Sequence, residues 1–370
     1  MEASALIQSD INTITSWASS WLVTFNPSKS ESLVISRKQN KPHHPSLTML
    51  NTEIPSNDTH KHLGVIFSSD GSWHQHVNYI KEKAWKRIGI LRKLKHTMNR
   101  KSLEIIYLSF IRPVLEYADV VWDNCTINEQ YELEKIQYEA ARIITGCTRL
   151  VSIQNLLTES GLLLLKERRK NHKLTLFYKM ANNLTPQFLS SLVPNTVAQT
   201  NPYNLRNNDT LVTIAAKTSL YASSFLPSTT KEWNSLPSEL KHAVSLASFK
   251  SLITKDNPSP NKLYYYGKRR LQIIHTQIRN NCSALCHHLF SKNIIDSPNC
   301  RCGLVETSKH YFLECTLYDR IRVSLFNAIR PFTTISLDVL LKGDSANSIQ
   351  INSIIFQAVH NYIDSSKRFE

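Results

Sequence analysis

The sequence predicts an α+β, mostly helical chain with a small antiparallel β patch, a helical bundle and a C-terminal helical region carrying a Cys/His knuckle. Three observations carry this. Apolar residues recur at helical spacing through most of the 370 residues, only 8 residues are glycine, and strand-length apolar runs cluster near the start. The first element, DINTITSWASSWLVTFN, aligns Ile11, Ile14, Trp17, Ala18 and Trp21 on one helical stripe and ends where NPSKSE turns the chain. Residues 32 to 36, 46 to 50 and 62 to 67 are the expected strands. From Trp73 the period changes. Val77, Ile80, Ala84, Ile88 and Leu91 mark one helical face, and Lys83, Lys86 and Lys93 lie on the other.

Two further helices are expected at about 101 to 122 and 128 to 145. The second is capped by Asn128, striped by Leu133, Ile136, Ala140 and Ile143, and stopped at Gly146. A helix with a dense basic run fills 162 to 180. Composition then shifts to Asn, Thr, Ser and Pro through 235, as in a connection, before a helix expected at Ser238 to Ile253.

Lys+Arg 44 against Asp+Glu 29 leaves +15, a surface that draws polyanions, RNA and DNA first among them. No apolar run reaches the roughly 18 residues of a membrane span, and no basic segment followed by an apolar run opens the chain. An intracellular protein, nuclear or cytoplasmic, is therefore expected, without a membrane partner. In a reducing compartment clustered cysteines point to metal rather than disulfides, and the scattered Cys125 and Cys147 to packing. CRCGLVETSKHYFLEC supplies Cys300, Cys302, His310 and Cys315, the three-sulfur, one-nitrogen set of a structural zinc site. One residue between the first two cysteines demands a tight bend, which Gly303 can supply, and a short helix would bring His310 and Cys315 to one face. The alternative is small buried residues of a helical hairpin. Cys282, Cys286, His287 and His288 are read as helix packing, with a second metal site as the lesser option. The stretch KLYYYGKRRLQ joins Tyr264 to Tyr266 with Lys268, Arg269 and Arg270, the aromatic and cationic mixture that single-stranded nucleic acid uses, or else a buried edge strand. Arg301, Lys309, Arg320 and Arg322 would surround the knuckle as a cationic knob. No Gly-x-Ser-x-Gly, P-loop or His-Glu-x-x-His pattern occurs, and no small-molecule substrate is evident.

Six separated stretches, WLVTFNPSKSE, HKHLGVIFSSDGSWHQHV, LSFIRPVLEYADVVW, EKIQYEAARIITG, EWNSLPSELKHAVSLASFKSLI and the knuckle, occur in one order. In that order the chain resembles the C-terminal half of reverse transcriptases from jockey-like non-LTR retrotransposons. The resemblance implies the end of a polymerase palm over 1 to 72, a thumb over 73 to 181, a connection over 182 to 260, a zinc-knuckle nucleic-acid-binding region over 261 to 330 and a helical tail over 331 to 370. It implies that Lys29 sits near the incoming nucleotide and that Leu63, Gly64 and Val65 belong to a hairpin gripping the primer end. It makes Lys83, Lys86, Arg87 and Lys93 phosphate contacts of a thumb closing on template and primer. The family's paired aspartates hold two Mg2+ ions, but this sequence has no adjacent Asp-Asp pair, and Tyr117-Ala118-Asp119 is followed by Val in a helical pattern. Asp119 is expected at the surface or in a cap. The implied protein is a truncated RNA-directed DNA polymerase, inactive as an isolated chain and carrying structural Zn2+, with Mg2+ relevant only to a full-length enzyme. The alternative is a non-catalytic zinc protein, derived from such an element, that binds nucleic acid.

Overall fold

A computed structural model describes residues 2–38, 43–200 and 208–370. The chain forms two compact units, one of Met1–Glu82 with Asn124–Glu129 and one of Lys83–Asp123 with Gln130–Glu370. Most of the described residues are helical, and the strands among them form two separate two-stranded antiparallel sheets.

In the first unit Thr48–Met49 pairs with Thr52–Glu53, and Thr59–His62 with Val65–Ser68. The expected strand at 62 to 67 is thus divided by a two-residue turn. Leu63 and Gly64 have φ of 45° and 88°, the positive pair of a type I′ turn, which matches the strand twist and is easiest where glycine takes one place. The run at 32 to 36 makes an isolated parallel bridge from Ser32 to Ser56, and its Ser36 N–H donates to Ser69 O at 2.8 Å. The first helix, Glu2–Ser20, buries only Ser4 and Ala18, while Ile14, Trp17 and Trp21 of the expected stripe are exposed.

Helix His74–Leu94 buries all five predicted positions, Val77, Ile80, Ala84, Ile88 and Leu91. The helix expected at 101 to 122 is broken instead. It runs Arg100–Ile106, widens to a π-helical turn at Tyr107–Ile111, resumes over Arg112–Glu116, stops at Ala118 with φ of 51° and restarts as Asp119–Trp122. Pro113 explains the widening: it lacks an N–H and its ring crowds the carbonyl one turn back, so the preceding turn takes an extra residue. Helix Ile127–Thr145 buries Leu133, Ile136, Ala140 and Ile143 and ends at Gly146, whose φ is 80°. Its cap is Thr126, not Asn128. The Thr126 N–H donates to Glu129 Oε2 at 2.7 Å and the Glu129 N–H to Thr126 Oγ1 at 3.3 Å, a reciprocal capping box.

Helix Leu165–Ala181 presents Leu174, Phe177 and Tyr178 to Trp233 of helix Phe225–Asn234 and to Phe249 of helix Leu246–Ile253, a local core. The helix expected at Ser238 to Ile253 is two pieces, Ser238–Lys241 and Leu246–Ile253, because Ser245 caps the second by accepting the Ser248 N–H at 3.1 Å. A larger core joins helices Arg269–Arg279, Asp319–Ile329, Leu337–Lys342 and Ile349–Ser365 around Tyr311, Phe312, Leu325, Ile355, Val359 and Tyr362. Each such side chain contributes roughly 1.5–3 kcal/mol by leaving water. Among the described residues no helix is long and apolar enough to cross a membrane.

Candidate metal centre

The ligand atoms of Cys300, Cys302, His310 and Cys315 lie within 4.8 Å of one another, and among the described residues no other group of three or more His, Cys, Asp and Glu converges in this way. A tetrahedron with metal–sulfur bonds of about 2.3 Å has edges of about 3.8 Å. The observed edges are 3.7 Å for Cys300 Sγ to Cys315 Sγ, 3.9 Å for Cys315 Sγ to Cys302 Sγ and 3.2 Å for Cys302 Sγ to His310 Nε2. Sulfurs so placed are far too distant for the roughly 2.05 Å of a disulfide and suit a common cation. The Cys3His cluster can therefore hold a metal, and its ligand types and size fit zinc.

Two local devices bring the ligands together. A short bridge between Asn299 and Val305 closes the first loop, the Cys300 N–H donates to Leu304 O at 2.7 Å, and the Gly303 N–H donates to Cys300 O at 2.9 Å. Gly303 has φ of 93° with open space where a Cβ would stand, so glycine is there for the bend the Cys-x-Cys spacing requires. The second device differs from expectation. Five residues along an α-helix would set His310 and Cys315 about 140° apart. His310–Glu314 is instead a π-helical turn in which the Cys315 N–H donates to His310 O at 2.8 Å, and the wider turn returns both side chains to one side.

The electrostatics favour a cation. The Leu304 N–H pointing at Cys302 lowers that thiol's pKa, while burial, with Cys300 and Cys302 beside it, pushes Cys315 up to about 12. Three neighbouring thiols cannot all ionise unaided, so a metal entering the cluster must displace protons.

Residues outside the ligand set hold the frame, and the sequence reading missed them. Arg322 donates through Nε to Phe312 O at 3.1 Å, through Nη2 to Cys315 O and through Nη1 to Asp319. It is buried, not part of an exposed cationic knob; Arg301 and Arg320 are exposed, and Lys309 pairs with Glu314 at 2.6 Å. Glu306, also buried, accepts the Cys286 N–H at 2.7 Å and both Nε and Nη2 of Arg368 at 2.7 Å. Apart from the i, i+3 pair of Arg322 with Asp319, these separations are seven residues or more, for which no local pattern exists.

Cys282 and its neighbours do not converge on a point. The Cys282 thiol hydrogen-bonds to Cys147, Cys286 lies 3.6 Å from Arg368 Nη2, and His288 bridges Ser283 Oγ at 2.9 Å and Ser308 Oγ at 3.1 Å. Burial depresses His288 to about 4, so its ring is neutral.

The expected nucleic-acid residues scatter between surface and interior. Lys29 ends a 3-10 turn, Pro27–Lys29, capped by Asn26, and is exposed. Leu63 projects from the hairpin turn, and Val65 is buried. Lys83, Lys86 and Lys93 are exposed on one helix, where Arg87 stacks over Phe110 at 4.1 Å and donates to its carbonyl. Lys268 is exposed and Arg270 pairs with Asp364 at 3.1 Å, but Arg269 turns inward. It donates to Ile144 O at 2.7 Å and Ile143 O at 2.6 Å, capping the C-terminus of helix Ile127–Thr145. Tyr264 to Tyr266 are neither an edge strand nor free stacking platforms. Tyr264 and Tyr265 lie in a 3-10 turn, Lys262–Tyr265, that Tyr266 closes: Arg279 lies 3.7 Å over the Tyr264 ring, Tyr265 donates to Glu104, and Tyr266 donates to Gln357 at 2.8 Å. Asp119 is likewise interior, buried against His172 Nδ1 at 2.6 Å.

No protein-family model matches the chain. Over 134 residues it is 25% identical to a probable RNA-directed DNA polymerase from the transposon X-element of Drosophila melanogaster, covering 35% of this chain and 14% of that protein. Over 174 residues it is 21% identical to a probable RNA-directed DNA polymerase from the transposon BS of the same organism, covering 46% of this chain and 19% of that protein. The chain thus spans less than a fifth of the length of the curated relatives it matches. It is related in origin to the reverse transcriptases of transposons.

Proposed function

We propose that this chain is the C-terminal part of a non-LTR retrotransposon reverse transcriptase, comprising the end of a palm, a thumb and a zinc knuckle, and that it holds RNA or DNA without polymerising. The Cys3His cluster carries the reading, because it is a closed four-ligand set of the kind structural zinc takes, in a chain similar to transposon RNA-directed DNA polymerases. The +15 charge and the exposed Lys83, Lys86 and Lys93 supply the phosphate attraction. Truncation is supported by the lack of an Asp-Asp pair and by the uncovered apolar residues of helix Glu2–Ser20, which an upstream palm would bury. A host-recruited binding protein of the same ancestry would have the same chemistry.

The purified chain should bind one zinc. Cys302→Ser should abolish binding, and Cys286→Ser should leave it, as elemental analysis of the two variants would read. On an RNA template with Mg2+ or Mn2+ it should extend no primer, and template-dependent synthesis that survives removal of contaminating polymerases overturns the non-catalytic reading. Its affinity for labelled RNA or DNA should fall steeply with salt, and a flat titration overturns the binding reading.

A further inference from the structure

We propose that the groove between helices Leu165–Ala181 and Leu246–Ile253 is a track for the phosphodiester backbone of a nucleic acid, with Lys179 and Lys250 as its two phosphate contacts. The inference rests on the nucleic-acid reading above and names a surface that neither the lysines of helix His74–Leu94 nor the knuckle includes.

The groove encloses about 440 Å³ and no carboxylate lines it. From the first helix come Arg168, His172, Thr175 and Lys179, spaced four, three and four residues apart and so on one face. From the second helix and its end come Lys250, Thr254 and Asn257, again four and three apart. Arg168 to Lys179 spans about 16 Å at 1.5 Å per residue, enough for several backbone phosphates. The walls are fixed: Tyr178 stacks on Phe249 with centroids 4.5 Å apart, and both are buried.

The charges are graded by availability. Arg168 is bound to Glu116, with Nη2 to Oε2 at 3.1 Å, so its charge is largely neutralised, and the His172 ring is held by Asp119. Lys179 and Lys250 enter no ion pair among the described residues. Between them Thr175 and Thr254 spend their hydroxyl protons on Asn171 O at 2.6 Å and Lys250 O at 2.7 Å, and Asn171 and Asn257 also line the groove. Paired lysines among neutral polar residues, with no carboxylate in the lining, suit a chain of diester phosphates.

The test is a salt titration of fluorescence anisotropy with a labelled 20-nucleotide RNA or DNA of random sequence, comparing the full chain with Lys179→Ala/Lys250→Ala and Lys83→Ala/Lys86→Ala. Losing two phosphate contacts should weaken binding roughly 10- to 30-fold near 0.15 M salt and reduce the magnitude of the log–log slope by about 1.4–1.8. Lys179→Arg/Lys250→Arg should retain both. If the groove variant matches the parent in affinity and slope, the inference fails while the nucleic-acid reading stands. If the parent itself does not bind, both fail. Equal loss of poly-glutamate binding in the groove variant would show a general polyanion cleft and overturn the nucleic-acid assignment.

Discussion

Helix Glu2–Ser20 and helix Ile349–Ser365 are similar amphipathic segments with opposite fates. The second buries Ile355, Ala358, Val359, Tyr362 and Ile363 in the large core beside the Cys3His cluster. The first leaves Leu6 at 64%, Ile14 at 49% and Trp17 at 55% of full exposure. Periodicity identifies an apolar face in both; only a partner surface makes one of them a core. The C-terminal region supplies that surface from three other helices and ties it with Tyr362 Oη donating to Tyr311 O at 2.5 Å, one residue from His310 of the Cys3His cluster.

The largest expected effect follows from that adjacency. Structural zinc is worth on the order of 10–16 kcal/mol in small zinc domains, so chelation should release amide protection across roughly residues 298 to 318 and loosen the packing of Tyr311 and Phe312. Hydrogen exchange with and without a chelator reads this directly. Protection unchanged on full metal removal would mean the core alone sets the knuckle's fold. Helix Glu2–Ser20 should be unaffected.

Next in size is a pair of truncations. Phe312→Ala empties a fully buried site and should cost about 3–5 kcal/mol, whereas Trp17→Ala removes a larger but exposed ring and should change stability by no more than about 0.5 kcal/mol. Denaturation of each variant gives the ratio. A costly Trp17→Ala would show that the first helix is covered in solution, for instance by a second copy of the chain.

Acid should separate the two regions as well. His275 is buried with Nδ1 3.3 Å from His360 Nε2 and Nε2 3.0 Å from Leu340 O; burial and the Arg279 charge hold His275 well below the usual histidine value and His360 at about 4. Both rings are neutral when folded but titrate near 6.5 when unfolded, so below that pH the unfolded chain binds more protons. Stability present above about pH 6.5 is therefore lost as pH falls toward 4, by on the order of 3 kcal/mol for His360 alone. His360→Leu should move the acid midpoint of the C-terminal core downward, with metal release followed separately by an indicator dye. An unmoved midpoint would assign the acid sensitivity to the metal ligands instead.

Much of this was legible in the sequence where one local rule governs. The stripe from Val77 to Leu91, the stop at Gly146 and the Cys/His ligand set are all in place. What escaped were effects with no local period: the π-helical turns at Tyr107–Ile111 and His310–Glu314, and the half-buried Arg269 and buried Arg322 donating to carbonyls outside their own helices. Charge alone does not distinguish an arginine that meets phosphate from one that closes a helix end. The connection's composition likewise hid Trp233, which sits between Phe177 and Phe249 at centroid distances of 5.3 and 5.9 Å.

The smallest effect tests the cap that the sequence placed two residues too late. Thr126→Ala removes the hydroxyl that accepts the Glu129 N–H and deprives the Glu129 carboxylate of one of the two donors that Thr126 supplies, so it should cost about 1 kcal/mol. Asn128 stands inside the first turn of helix Ile127–Thr145 with its side chain exposed. Asn128→Ala should therefore be neutral within about 0.5 kcal/mol, or slightly stabilising, since alanine is the better helix former. Glu129 also meets His74 Nδ1 at 2.5 Å, so Glu129→Gln should preserve most of the cap while weakening that contact. Equal losses at positions 126 and 128 would mean that the helix starts where the sequence alone suggested. A loss at Thr126 only would show that one hydrogen-bonded hydroxyl, rather than the exposed amide next to it, fixes where this helix begins.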